Sequence, residues 1–135
     1  LTLMDALGIE LEVLDEGYVR ASMPVDERTR QPFGYLHGGA SVALAETVAS
    51  VGAHQLIDPE NEICFGMEIN ANHIRPKRDG KVTAEGKILH HGRRSQVWEI
   101  RITDETGRLI CISRCTIAVV AKEENGGADQ NGKGT

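Results

Sequence analysis

The chain has 135 residues, 40% of them apolar, enough for one hydrophobic core and too few for a second domain of ordinary size. Its 15 Lys and Arg against 20 Asp and Glu leave a formal charge of −5, which argues against a general nucleic-acid binder and for a soluble acidic protein. No apolar run reaches the roughly 20 residues a membrane span needs, since the best candidate, Ala40 to Ile57, is broken by Ser, Glu, Thr, Gln and His.

In chain order, two alternating stretches, Gly8 to Leu14 and Tyr18 to Val25, flank Asp15-Glu16-Gly17 and predict a hairpin. Asp26 to Phe33 is charged, contains Pro32 and reads as a loop. From Gly38 to about Ile57 the composition turns to Ala, Leu and Val without proline, which predicts one helix ended by Asp58-Pro59. Four strands are then predicted: Ile63 to Arg75, Lys81 to His90, Ser95 to Thr103 and Leu109 to Val120. Their separators, Asp79-Gly80, Gly92 and Asp104-Glu105-Thr106-Gly107, are turn sequences, so sequential neighbours are expected to pair antiparallel. Trp98, Ile100 and Ile102 share one face of the third of these strands and Glu99, Arg101 and Thr103 the other, so one sheet face is wet or lies between subunits.

Residues 121–135, Gly, Asn, Lys and Glu without a large apolar side chain, are expected to be a disordered tail beyond a single domain of residues 1–120. The helix is apolar or small on nearly every side, which suits a helix wrapped by a curved sheet. Cys64, Cys111 and Cys115 are an odd count without a basic-then-apolar leader, so a cytoplasmic protein is expected. Cys111 and Cys115, four apart on a strand, stand roughly 13 Å apart, too far to share a bridge or a metal, and read as core thiols. The chain begins at Leu, which leaves its native N-terminus in question.

Glu46 is the one formally charged side chain between Gly38 and Ile57. Set among Val42, Ala43, Ala45, Ala49 and Ser50, its carboxylate is expected to be partly desolvated and reactive, although an interfacial Glu paired with an arginine would look the same. His37-Gly38-Gly39 puts two residues without side chains where helix amides are unpaired and the dipole is positive, a place for a carbonyl oxygen gaining charge. A tight turn needing glycine is the alternative. Gly38 and Glu46 lie roughly 12 Å apart on one helix, so one acyl carbon cannot meet both. If both act, a two-fold dimer with antiparallel helices must bring Glu46 of one chain beside Gly38 of the other.

Ser50, one turn beyond Glu46, is placed to hold a water or orient the carboxylate, or else to bond back to its own helix. From His73 to Arg94 seven Lys or Arg face only Asp79 and Glu85, an excess that suits either a phosphorylated ligand or solvated hairpin ends. No GxGxxG, Walker-type loop, GxSxG or metal-ligand spacing occurs, so dinucleotide, nucleotide-triphosphate, α/β-hydrolase and zinc chemistries have no support.

The run from Arg30 through Gln31, His37-Gly38-Gly39 and on to Glu46 resembles the hotdog-fold thioesterases of the 4-hydroxybenzoyl-CoA type II branch, and within it the 1,4-dihydroxy-2-naphthoyl-CoA hydrolases. Glu68-Ile69-Asn70-Ala71-Asn72-His73 and Leu89 to Trp98 add to the resemblance, which spans about Met4 to Val120. It implies an α+β hotdog fold, a long central helix wrapped by a curved antiparallel sheet. It also implies hydrolysis of a hydroxylated aromatic acyl-CoA, with coenzyme A as part of the substrate and no separate cofactor or metal. Glu46 would be nucleophile or general base. The Gly38 amide, with Gln31, would polarise the carbonyl, His37 would support the thioester end, and Ser50 would help place water. Gly66, His73 and Arg75 match the strand that contacts substrate, and His90, His91, Gly92, Arg93, Arg94 and Ser95 the turn that meets coenzyme A. Tetramers built from two dimers are common in such proteins, so a homodimer at least and a homotetramer are expected. Binding of thioesters without turnover, as a sensor or scaffold, and thioester hydration or dehydration are the competing readings of the same fold.

Overall fold

The computed structural model describes residues 1–123, and the expected disordered tail lies outside them but for its first three residues. A short helix α1 (Leu3–Leu7) opens the chain, followed by β1 (Glu10–Asp15), β2 (Tyr18–Pro24), the long helix α2 (Gly38–His54), β3 (Glu62–His73), β4 (Lys81–His91), β5 (Ser95–Thr103) and β6 (Leu109–Ala121). The strands form one antiparallel sheet in the order β1-β2-β4-β5-β6-β3, with α2 packed against it. This is the expected α+β hotdog arrangement.

Alternation places the core. Val19, Ala21 and Met23 of β2, Val82 and Ala84 of β4, Trp98, Ile100 and Ile102 of β5 and Cys111, Cys115 and Ile117 of β6 all point at α2 and are buried. Met23, Leu44, Ile100 and Ile102 are fully buried, each contributing roughly 1.5–3 kcal/mol. Two glycines let helix and sheet close: a side-chain carbon at Gly52 would strike the Trp98 ring, and one at Gly86 would strike Val48. The Trp98 indole N–H donates to Gln96 Oε1 (2.9 Å) and the Gln96 amide donates to Ala53 O (3.4 Å), so the polar groups buried at this seam are satisfied.

Several expectations are corrected. β3 does not pair with β4. It pairs with β6 over its whole length, while β2 pairs with β4. The β3–β4 link, residues 74–80, is seven residues with Pro76, longer than the two to five of a usual hairpin loop, and it carries the chain from one edge of the sheet back to its middle. α2 stops at His54, capped at Gln55, rather than near Ile57. Leu56 is half-buried against the core from outside the helix, so the apolar pattern continues after the helical backbone has ended. α1 precedes the hairpin, its start held by Asp5, which accepts from the Thr2 backbone N–H (3.0 Å) and hydroxyl (3.1 Å). Ala121 is still in β6, opposite Glu62, and the Lys122 N–H donates to Asn61 O (2.8 Å), so order runs slightly past residue 120. No helix among the described residues is long and apolar enough to cross a membrane.

Candidate active site

The sheet covers only one side of α2. Ala40, Ser41, Leu44, Ala45, Val48, Ala49, Gly52 and Ala53 are buried against it, while Val42, Ala43, Glu46, Thr47, Ser50 and Val51 form a half-buried outer face. The helix is therefore not enclosed all round within one chain. Its second apolar face borders a cavity of about 590 Å³, walled by α1 (Leu3, Met4) and by Val42, Ala43 and Val51. Among the described residues Glu46 is the one charged side chain in that lining.

The Glu46 side chain reaches from α2 to β3, where its carboxylate lies over Gly66. A carbon added at Gly66 would collide with Glu46 Oε2 and stand 3.2 Å from Cδ, so glycine is what leaves room for the carboxylate. The β3 ladder shifts register between Gly66 and Glu68, which turns the local strand geometry at this contact. No ion pair joins Glu46 to an arginine among the described residues, so the interfacial-pair reading finds no partner within the chain. Beneath it, the Cys115 thiol is pushed up to about 12 by burial first and then by the nearby carboxylates of Glu46 and Glu68, which keeps it neutral. Burial likewise raises Cys111, and both are core thiols as expected. Ser50 lines the same cavity as Glu46. Thr47 bonds back to Ala43 O (2.7 Å), whereas among the described residues the Ser50 hydroxyl makes no such bond and is free to hold water.

The other expected residues gather elsewhere. A second cavity, of about 370 Å³, lies at the N-terminus of α2 and is lined by Gln31, Gly38, Ser41, His73 and Arg75, with Tyr35, Leu36, Ile74, Pro76 and Ile110. The loop holding Gln31 is tight: Gln31 N–H donates to Tyr35 O (2.7 Å), Gly34 N–H to Gln31 O (2.9 Å), and Arg30 bridges to Leu36. The Gln31 side-chain oxygen accepts from the Phe33 and Tyr35 N–H groups, which leaves its NH₂ to donate into the cavity. Gly38 is the first residue of α2, so its N–H has no intrahelical partner. A side chain at Gly38 would come within 2.9 Å of His73 Nε2. His37 sits at the helix cap, its Nδ1 accepting from the Gly39 N–H (2.8 Å), and lines neither this cavity nor that of Glu46.

One expected group is thus divided. Gly66 adjoins Glu46, whereas His73, roughly 23 Å away along the same strand, and Arg75 adjoin Gly38. The turn from His90 to Ser95 falls on the Glu46 side: Arg94 O accepts from Val119 N–H (2.8 Å), and Ser95 and Phe65 both pair with Ala118, two strands or about 10 Å apart. His90, His91, Arg93 and Arg94 are exposed there. The sequence reading did not single out Leu3, Met4, Val42, Ala43, Thr47 and Val51 as site residues, although it set Val42 and Ala43 around Glu46. Four of these lie within one or two turns of Glu46 and were legible by helical spacing, while the α1 pair is placed only by tertiary packing. Among the described residues no three or more His, Cys, Asp or Glu side chains are grouped to hold a metal ion.

The apolar cavity with one carboxylate and the helix N-terminus with free donors are what acyl transfer requires, and comparison with known proteins agrees. The model of the thioesterase superfamily matches residues 33–111. The chain belongs to that superfamily. It is 53% identical over 122 residues to the 1,4-dihydroxy-2-naphthoyl-CoA hydrolase of Listeria monocytogenes, covering 90% of this chain and 98% of that one. It is 50% identical to the proofreading thioesterase EntH of Klebsiella pneumoniae, covering 88% and 86% of the two chains. The crystal structure of thioesterase HI1161 from Haemophilus influenzae superposes with a TM-score of 0.87 at 46% identity, covering 93% of this chain and 87% of that one. This thioesterase therefore hydrolyses thioesters, and the comparisons favour neither binding without turnover nor hydration.

Proposed function

We propose that the protein hydrolyses an acyl-CoA carrying a hydroxylated aromatic acyl group, of the dihydroxynaphthoyl, hydroxybenzoyl or gentisyl type, to free acid and coenzyme A. The site is shared by two copies of the chain. The observation that carries this reading is that the Gly38 amide and the Glu46 carboxylate line different cavities of one chain, about 12 Å apart along α2. Neither cavity alone offers both a nucleophile and an oxyanion site. A two-fold partner supplies the missing half. Among the described residues β3 is an end strand paired only with β6, and it exposes Phe65 and Met67. An end strand of this length with Phe65 and Met67 exposed is one that a second copy covers by antiparallel pairing, bringing the two α2 helices side by side. Two such dimers give the expected tetramer.

In this arrangement the acyl group enters the apolar cavity beside Glu46, and the nucleotide end of coenzyme A meets Arg93 and Arg94. The thioester oxygen faces the partner's α2 N-terminus, where the Gly38 N–H and the Gln31 NH₂ donate to it as it gains charge. Glu46 attacks the acyl carbon to give an anhydride while the carbon–sulfur bond breaks and the thiolate takes a proton, water then opening the anhydride. In the alternative route Glu46 removes a proton from a water held by Ser50. A single turnover in oxygen-18 water tests the anhydride route: label in the enzyme carboxylate requires that water opened an anhydride at Glu46, whereas attack at the acyl carbon puts the label in the product acid by either route. We place the reaction in the cytoplasm, where three free thiols persist.

The shared site is tested by mixing two inactive variants. Gly38→Pro deletes the amide donor at a helix position that accepts proline, with Gly38→Ala as the control that keeps the N–H. Gly38→Pro and Glu46→Ala alone each keep no more than about one per cent of wild-type turnover of 4-hydroxybenzoyl-CoA. Dissociated and reassociated at equal amounts, they recover about a quarter of wild-type activity, because half the dimers are mixed and each has one intact site. No recovery in verified mixed dimers would rule out the shared site.

A further inference from the structure

One polar side chain in the cavity at the start of α2 takes no part in the site described so far. Ser41 is 1% exposed and lines that cavity with Gly38, Gln31 and His73. Its backbone N–H donates to His37 O (3.3 Å). Its hydroxyl has no hydrogen-bond partner among the described residues, unlike Thr47 further along, which bonds back to its own helix. A buried hydroxyl without a protein partner is left for water, or for a polar group that displaces the water from the cavity, to satisfy.

The helix directs that hydroxyl. Ser41 follows Gly38 by three residues, so the two share a face. Each Cα–Cβ bond of a helix tilts toward its N-terminus, which sets the Ser41 Cβ toward the Gly38 end of the cavity that both residues line. Gly38 has no side chain to block the way, and the group nearest its open side is the tip of the His73 ring. Three donors from two elements therefore meet in one cavity: the Gly38 N–H, the Gln31 NH₂ and the Ser41 O–H. His73 borders the same space, but no hydrogen bond joins it to Ser41 among the described residues, so the hydroxyl lacks the base that would make it a nucleophile.

We propose that Ser41 is a catalytic residue of the thioester hydrolysis, its hydroxyl donating a third hydrogen bond to the carbonyl oxygen alongside Gly38 and Gln31. The proton stays on Ser41 throughout. The bond strengthens as the carbonyl becomes an oxyanion, so its effect falls on the transition state more than on substrate binding. This inference rests on the oxyanion reading of the Gly38 cavity.

The test uses the full chain with 4-hydroxybenzoyl-CoA. Ser41→Ala lowers kcat by about 10- to 100-fold, leaves KM within about twofold, and leaves Tm unchanged or higher because an unsatisfied buried hydroxyl has gone. Ser41→Cys, which fills the same space with a weaker donor, falls between and carries the test should the alanine variant fold poorly. The second readout is the carbonyl stretch of carbon-13-labelled 4-hydroxybenzoyl-CoA bound to the Glu46→Ala protein. Binding lowers that frequency, and adding Ser41→Ala removes part of the shift. A lower Tm with kcat and the carbonyl shift intact, or a rise in KM alone, overturns the proposal. Wild-type enzyme that releases no thiol overturns the functional reading itself. Turnover that is lost in Gly38→Pro and kept in full in Ser41→Ala overturns only the role of Ser41.

Discussion

The first turn of α2 and its middle carry opposite kinds of chemistry. At the N-terminal end, Gln31, Gly38 and Ser41 present neutral donors to a cavity framed by His73 and Arg75. Half-way along, Glu46 presents one carboxylate to a cavity whose walls are Leu3, Met4, Val42, Ala43 and Val51. The donor end is built by a turn, a helix terminus and a strand end, so backbone geometry sets it. The carboxylate end is built by side-chain packing across a helix and a strand. Under the proposed function the contrast explains why one helix would hold both halves of an acyl-transfer site without completing it: its length keeps them apart, and a two-fold copy would run the other way.

The comparison breaks first at Glu46. Glu46→Ala is expected to lower kcat about a thousandfold while thermal melting stays within a few degrees of wild type, since the residue makes no ion pair among the described residues. Near-normal thiol release would move the chemistry to the donor end. Next is Gly66→Ala, which sends a carbon into the Glu46 carboxylate; displacing it by about an ångström costs about a hundredfold in kcat. In a Glu46→Ala background the same change should add almost nothing, and a further full loss there would show that Gly66 acts independently of Glu46.

Smaller effects are expected away from Glu46 and Gly66. Replacing Arg93 and Arg94 together by alanine should raise KM about tenfold with kcat retained, and the difference should shrink in concentrated salt because both side chains are exposed. A matching loss of kcat would place the turn nearer the reacting bond. The smallest effect belongs to the link beside the donor end, where Lys77 O accepts from Leu36 N–H (2.7 Å). The Lys77 ammonium (2.6 Å) first, and then the Lys81 N–H (2.9 Å), hold the Glu105 carboxyl down at about 2, against an ordinary value of 4.5. A depressed carboxyl stabilises the fold fully above its unfolded value and progressively less as pH falls from 4.5 toward 2. Lys77→Met should therefore lower Tm slightly at pH 7 and leave it unchanged near pH 2, as melting curves at the two pH values would show; an equal loss at both would mean that packing, not charge, holds this link.

Much of the fold was legible because its signals are local. Trp98, Ile100 and Ile102 alternate with Glu99, Arg101 and Thr103, and the structure buries the first set as alternation demands. β5 begins and ends where the turn residues around it predict. Signals that extend beyond a local pattern were misread. Leu56 looks like helix because it is apolar, but it packs on the core from beyond the helix end. The partner of β3 is set by the path of the chain across α2, which no turn sequence records.

The site divides in the same way. Glu46 stood out as a charge where the helical pattern called for none, and Gly38 as a glycine at a helix start. These are properties of a residue and its neighbours along the chain, so the sequence determined them alone, with the roughly 12 Å that separates them. Tertiary structure decided that Gly66 belongs with Glu46 while His73 and Arg75 belong with Gly38. It also decided that α1 walls the Glu46 cavity and that, among the described residues, the second face of α2 is open rather than wrapped. Those relations join residues brought together only when the sheet curls and its strands take their order, and no spacing along the chain encodes them.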